Sequence, residues 1–596
     1  MSTDDRVGSR FADRTALAVV GVTLLALVAR LVGLGTRIMH WDEGRVGYWI
    51  LRYHETGEFY YRPIIHGPFL PIVNDYVFTY LPPTDFSARL VVALVGGLLP
   101  LTALLFRSRL RNSETVALSL FLACNPLFVY YSRFMRNDMI VAAFSLAALG
   151  FFVYGYDRGD LRYLWPAGAA LALGLTSKEN GLLYIVCYAG AAFVLFDHRL
   201  LRRAQAGTSV KQTLRDYSVS AKTGLSSWAG DVKTGLFWAG THTVGGVVAF
   251  LLVIVFFYAP RPDLWQAFGD PALFLDVVDR ATVGAWQEFY GQWASGTHQT
   301  HDYLPYLFDI LETMVYGAGV LSVFALVGVV VDGYTSGRSR DLVAFATYWG
   351  IASLIGYPVA TDIQAPWAAI HIIVPLAIPA AVGAGYVYRT ARQSVALEDA
   401  VGTGIAALVV LSAVVGVAGA NVAYVDSADR ENTEVLQWAQ PENDLKDTLE
   451  KVRRVSQANE GEDVLFYGTK HPRTGSVLFY VEDESNPLAG PNWHSRLPLP
   501  WYTERYGANV TSTPPEVTAT EMAQDAPPVV VAYDWNRSEL ESALPGYTVY
   551  QHDFKLWNEE IVVFVDESQL PAEQASVREP AGQQFDSRRL DARAVV

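Results

Sequence analysis

The residues best placed to do chemistry come as a group, Trp41-Asp42-Glu43-Gly44, just beyond the first long apolar segment, Thr15 to Gly35. That segment holds about twenty residues with one internal charge, Arg30, which is enough to cross a bilayer. Two adjacent carboxylates at the mouth of a span can bind a divalent cation or take a proton from an attacking hydroxyl. Asp42 and Glu43 are therefore candidate catalytic residues and, together, a candidate metal pair. The same two acids could simply mark a helix end at headgroup depth, and the pair alone does not choose.

Other polar groups sit at comparable places. Span three ends in Tyr130-Tyr131-Ser132-Arg133-Phe134-Met135-Arg136-Asn137-Asp138. Arginine's planar fork suits phosphate oxygens, so Arg133 and Arg136 are candidate binders of a phosphate. Asp138 opens the next span as a candidate catalytic acid or as an ordinary N-cap. Lys178, in the short link Thr176-Ser177-Lys178-Glu179-Asn180-Gly181, could supply a further cation or snorkel to the surface. His66 in the turn His66-Gly67-Pro68 and His371 near the start of span ten are candidate ligand contacts. Each is more commonly a histidine bonded within a turn or between spans. His298 and His301 have zinc-compatible spacing, but a solvated pair is the commoner arrangement.

The elements that must carry these groups follow from composition. Of 596 residues 51% are hydrophobic, but the average hides two populations that change over near residue 425. Apolar stretches of spanning length fall at about 15–35, 86–106, 114–132, 138–157, 162–177, 180–197, 241–259, 305–332, 341–360, 367–388 and 401–424, about eleven in all. Threaded so, Arg6, Arg10, Arg14, Arg107, Arg109, Arg111, Arg199, Arg202, Arg203, Lys211, Arg215, Arg338, Arg340, Arg389 and Arg392 share one side. The positive-inside rule makes that side and the N-terminus cytoplasmic, and puts the candidate site and the C-terminal region outside the cell membrane. The expected fold is an α-helical polytopic membrane protein, residues 1–425, with structured outer loops at 36–85 and 260–303. An extracytoplasmic α/β domain follows over 426–572, then a polar tail over 573–596 that reads as disordered. In the first outer loop Arg45 to Leu51 reads as an amphipathic helix ending at Gly57, and Phe69 to Tyr80 as a second helix.

The net charge of −15, from 60 acids against 45 bases, argues against a nucleic-acid partner. An acidic surface also suits a high-salt solvent, so a halophilic source is expected. Cys124 and Cys187 lie in apolar runs and read as small buried hydrophobes.

The acid pair after span one, the run Arg62-Pro63-Ile64-Ile65-His66-Gly67-Pro68, the Arg133 to Asp138 element and the turn 176–181 together resemble the C-type (GT-C) polytopic membrane glycosyltransferases. That superfamily includes the protein O-mannosyltransferases and the aminoarabinose transferases. Most of all the chain resembles an archaeal branch associated with flippase activity in N-glycosylation. The motifs cover about the first 200 residues; His66-Gly67-Pro68 departs from the two prolines usual there. The resemblance implies a hexosyl or other glycosyltransferase that takes its sugar from a polyprenyl or dolichyl phosphate. Glycan, lipid and protein are the implied acceptors, on the outer membrane face. It casts Asp42 as base, Glu43 as its support or co-ligand of a divalent cation, and Arg133, Arg136 and Lys178 as phosphate grips. The alternative it carries is a non-catalytic or transport-class accessory of lipid-linked sugar flipping. Apolar span centres, with polar groups gathered at one end, favour chemistry over transport. The absence of a Gly-rich phosphate loop agrees with a lipid-borne donor.

Overall fold

The computed structural model describes residues 13–294, 301–335, 339–361, 364–425, 427, 434–436, 439–484, 491–555 and 559–570. Arg6, Arg10, His298, Arg338, the expected domain boundary at 426 and the polar tail lie outside the described residues.

The membrane part is helical throughout. In chain order it runs α1 (Arg14–Leu31), α2 (Trp41–Thr56), α3 (Phe69–Tyr80), α4 (Asp85–Leu98, continued as 3₁₀ helix to Phe106), α5 (Asn112–Cys124), α6 (Pro126–Tyr131), α7 (Asp138–Arg158), α8 (Leu164–Ser177) and α9 (Gly181–Gln205). There follow α10 (Val210–Ala229), α11 (Val232–Tyr258), the short α12 (Asp263–Gln266), α13 (Pro271–Asp279) and α14 (Ala285–Phe289), then α15 (Tyr303–Thr335), α16 (Asp341–Ala360), α17 (Ile370–Ala396) and α18 (Ala400–Tyr424). Among the described residues nine helices are long and apolar enough to cross a membrane, rather than the eleven expected. The two that fall short have physical causes. The third expected span breaks at Asn125, which caps α6 in front of Pro126, and the fifth is α8, only 14 residues long. Helix α10, exposed along most of its length, was not expected.

Small residues set the closest crossings. A Cβ on Gly328 would lie 1.8 Å from the Pro379 carbonyl, so α15 and α17 approach backbone to backbone. Gly168 meets the Gly246 carbonyl in the same way, joining α8 to α11. Central α17 is sheathed by its neighbours, whereas α18 faces outward along most of its length.

The two ends of the bundle differ in chemistry. At one end arginines pair with acids of neighbouring helices: Arg107 with Asp13, Arg109 with Asp157, Arg199 with Asp341, and both Arg340 and Arg389 with Glu114. The opposite end carries α2, α3 and the C-terminal domain. Helix α2 is capped by His40 and closed by Gly57 at φ +71°, and α3 spans the expected residues. Among its described residues the second loop carries α12, α13 and α14, and Phe59 and Arg261 tie the two loops by reciprocal backbone hydrogen bonds of 3.1 and 2.8 Å. Cys187 is buried, as expected, but Cys124 is exposed on the bundle surface; both are free thiols.

The C-terminal domain contains α19 (Leu445–Ser456), α20 (Pro491–His494), α21 (Leu499–Tyr506), α22 (Ala519–Met522) and α23 (Arg537–Ala543) around a mixed sheet. Its strands are β1 (Val464–Phe466), β2 (Thr469–Lys470), β3 (Val477–Leu478), β4 (Val510–Ser512), β5 (Val529–Tyr533), β6 (Thr548–Lys555) and β7 (Glu559–Val565). Five form one sheet in the order β4-β1-β5-β7-β6, with β1 parallel to both β4 and β5 and β7 antiparallel to β5 and β6. Strand β3 pairs with β2 in a separate antiparallel ribbon. The Pro498-to-Tyr502 segment packs against the membrane part. Trp501 and Tyr502 donate to the Asp85 carboxylate at 3.0 and 3.1 Å, and Arg505 and Lys446 pair with it at 2.9 and 2.8 Å. The carboxylate at the head of α4 is thus one anchor of the domain, beside the hydrogen bonds from the Met39 amide to the Tyr502 hydroxyl and from Trp41 to the His494 carbonyl, both at 2.9 Å.

Candidate active site

Five of the eight site residues expected from sequence lie in one connected polar network. Asp138, at the first turn of α7, is 1% exposed and receives three partners: Lys178 Nζ at 2.9 Å, His371 Nε2 at 3.2 Å and Arg136 Nε at 3.3 Å. Arg136 reaches across to Asp42 with its Nη1, so its guanidinium bridges two carboxylates from different helices. Its flat face lies 3.4 Å from the centroid of the Trp367 ring, and Lys178 Nζ lies 5.6 Å from the same ring. His371 is held by the Tyr184 hydroxyl at 2.7 Å and stacked on Tyr357. An ion cluster this deep persists only because every member is paired.

Local sequence explains the positions. Arg136 and Asp138 stand in the tight turn between α6 and α7, Lys178 caps α8 before the 178–181 turn, and His371 opens α17 just after a 3₁₀ turn at Pro366–Ala369. All four fall at helix ends on the side of the bundle that carries α2.

The acid pair divides its roles. Glu43 is fully buried: Arg89 grips it with Nε and Nη2 at 2.7 Å each, the Met135 amide donates at 2.6 Å and the His40 amide at 3.0 Å. Asp42 is 15% exposed, held by Arg136 and by Arg45 at 3.2 Å. Burial would raise its pKa, but Arg136 and then Arg45 outweigh burial and hold it well below the ordinary carboxylate range. His40 accepts the Asp42 amide proton on Nδ1, so its Nε2 carries the hydrogen; burial pushes its pKa down to about 4.

The turn at His66 borders this cluster. His66 takes φ +67°, a backbone strain of the sort found at functional sites, and its Nδ1 lies 3.3 Å from Glu179. The Tyr61 hydroxyl donates to the other Glu179 oxygen at 2.6 Å. Gly67 packs on the last turn of α8 so closely that a Cβ would lie 2.2 Å from the Thr176 carbonyl, which is the physical reason for glycine there.

Arg133 lies apart. Its Nη1 and Nη2 donate to the carbonyls of Ala29, Arg30, Val32 and Gly33, satisfying the C-terminal end of α1. His301 bonds the Pro358 carbonyl at 3.0 Å.

A cation between Asp42 and Glu43 does not fit this donor set. Each carboxylate is already neutralised by guanidinium groups, and among the described residues no group of three or more His, Cys, Asp or Glu side chains could hold a metal ion.

Sequence reasoning missed the residues that lock the site: Arg89, Arg37, His40, Tyr184 and Trp367. Arg37 is buried between the Tyr130 and Phe134 rings and reaches within 3.8 Å of Glu43. Arg89 carried a readable signal, a lone cation inside an apolar span, where such groups nearly always have a partner.

Two family profiles match this chain. Residues 66–210 match the dolichyl-phosphate-mannose-protein mannosyltransferase family, and residues 445–566 match the Agl23 flippase-associated protein C-terminal domain. No curated protein matches the sequence. The crystal structure of ArnT from Cupriavidus metallidurans in the apo state is similar over 94% of this chain and 100% of that one, with a TM-score of 0.54 at 16% identity. The same protein bound to undecaprenyl phosphate aligns over 93% and 99%, with a TM-score of 0.52 at 16% identity. The fold is therefore the one expected, a multi-pass C-type bundle with a small sheet domain behind it.

Proposed function

We propose that this membrane protein of C-type glycosyltransferase fold transfers a sugar from a polyprenyl or dolichyl phosphate to an acceptor hydroxyl or amide at the membrane surface. The observation that carries the reading is the Arg136 bridge between Asp42 and Asp138. It puts a proton acceptor within one side chain of a cation cluster built for phosphate.

In this reading the carrier phosphate enters beside Arg136 and Lys178, with His371 and His66 lining the approach. The acceptor attacks the anomeric carbon as the bond from that carbon to the phosphate oxygen breaks. Polyprenyl phosphate leaves with the bonding pair, and its growing charge is met by Arg136 and Lys178. Asp42 takes the acceptor's proton; it is the acid of the pair open to solvent. Asp138 holds both cations and His371 in place, and Glu43 with Arg89 fixes the first turn of α2. By the positive-inside rule the cluster faces the outside, away from nucleotide sugars. The match of residues 66–210 to a family named for dolichyl-phosphate-mannose supports the donor class.

The second reading, an accessory of lipid-linked sugar flipping, is favoured by the match of residues 445–566. Incubating the purified chain with radiolabelled polyprenyl-phosphate sugars and candidate acceptors separates the two. Transfer that Asp42→Asn abolishes supports the enzyme; no transfer from any donor, with lipid binding intact, favours the accessory.

A further inference from the structure

Far from this site, at the arginine-rich end of the bundle, a trough of about 1150 Å³ opens between α1, α5, α15, α17 and α18. Its walls are apolar, with Phe121, Phe324 and Val417 among them. Its mouth is cationic: Arg14 begins α1, Arg111 precedes α5, and Arg392 stands near the end of α17. Two acids at this end of the bundle are already paired, Asp13 with Arg107 and Glu114 with Arg340 and Arg389. Arg14, Arg111 and Arg392 have no ion-pair partner among the described residues. The trough runs beside α5 to Asn125 and Asn421, where the Asn421 amide bonds the Cys124 carbonyl at 2.9 Å. Thirteen residues of helix make that about 20 Å, longer than the ~15 Å of hydrocarbon in one leaflet.

We propose that this trough binds one anionic glycerophospholipid, its phosphodiester held by Arg14, Arg111 and Arg392 and its chains laid along Phe121 and Val417. Unpaired guanidinium groups over an apolar slot complement a phosphate on an acyl chain. The slot cannot be the transfer site, because Asp42 and Asp138 stand at the opposite end of the bundle.

Native mass spectrometry of the full chain in uncharged detergent tests this, with phosphatidylglycerol, phosphatidylcholine and polyprenyl phosphate as probes. Wild type retains one phosphatidylglycerol at least tenfold more tightly than phosphatidylcholine. Arg111→Gln with Arg392→Gln erases that preference, at about fivefold per arginine. Val417→Trp, which narrows the slot without touching the cations, lowers occupancy by both phospholipids. Equal retention in wild type and the arginine variant overturns the proposal. So does stronger retention of polyprenyl phosphate that the same variant abolishes, or a dimer whose formation displaces the lipid.

Discussion

The guanidinium of Arg136 is shared between Asp42 of α2 and Asp138 of α7, so neither carboxylate can change partner without the other feeling it. A phosphate arriving at Arg136 competes for the same N–H groups. As it wins them, Asp42 loses the cation that holds it strongly acidic and becomes a better proton acceptor. In the proposed transfer reaction, donor binding and activation of the base are then one event.

Asp42 and Glu43 must therefore respond differently to loss of charge. Asp42→Asn lowers transfer by about 10²- to 10⁴-fold, the usual worth of a general base, with donor binding retained. Glu43→Gln strips the buried Arg89 of its counter-ion and costs about 3–5 kcal/mol of stability. Transfer rates and thermal melting in detergent read the two effects; a melting loss larger for Asp42→Asn than for Glu43→Gln would contradict this division.

Lys178 and Asp138 form a coupled buried pair at 2.9 Å. Lys178→Met leaves the Asp138 carboxylate short of one cation and destabilises the protein by about 3–5 kcal/mol. Adding Asp138→Asn recovers at least half of that loss, because the uncompensated charge is gone, while donor binding stays weak. Additive losses in the double variant would show that the pair is not coupled.

His40 makes the fold acid-sensitive. Burial, only partly offset by Asp42, holds it at about 4 against an ordinary value of 6.5. Between those values the unfolded chain binds the proton and the folded chain does not, so stability falls on acidification and rises with pH. From pH 7 to pH 5 the loss amounts to about 2 kcal/mol. His40→Asn keeps an N-cap acceptor for α2 and flattens that slope. The depressed pKa of Asp42 matters only below about pH 4, outside the window. Parallel melting curves for wild type and variant at both pH values would rule the assignment out.

Gly44 is the seat of the C-terminal domain. A Cβ there would lie 2.6 Å from Pro498 Cα, whereas one on Gly21 in α1 meets nothing within 4 Å. Gly44→Ala costs about 1–3 kcal/mol and speeds proteolytic release of the domain, and Gly21→Ala does neither. Limited proteolysis followed over time distinguishes the two variants.

The bundle was legible because apolar length and the arginine-lined loops are one-dimensional signals: each expected span holds a helix, and the loop arginines Arg107, Arg109, Arg199, Arg340 and Arg389 gather at one end. The count was not, since Asn125-Pro126 breaks a helix without breaking the apolar run. At the site, the adjacency of Asp42 and Glu43 was visible but their separation of duties was not. It depends on Arg89, 46 residues from Glu43, and no local spacing reveals such a pairing. Arg133 misled for the complementary reason. Its position beside Arg136 looked like a second phosphate grip, yet the turn points it at the open carbonyls of α1.

The account rests on where the carrier phosphate binds, and an experimental structure with polyprenyl phosphate present measures that directly. The prediction is a phosphorus within about 4 Å of both the Arg136 guanidinium and Lys178 Nζ, with Asp42 released from Arg136. A phosphate bound elsewhere, with the bridge from Asp42 to Asp138 intact, would contradict it.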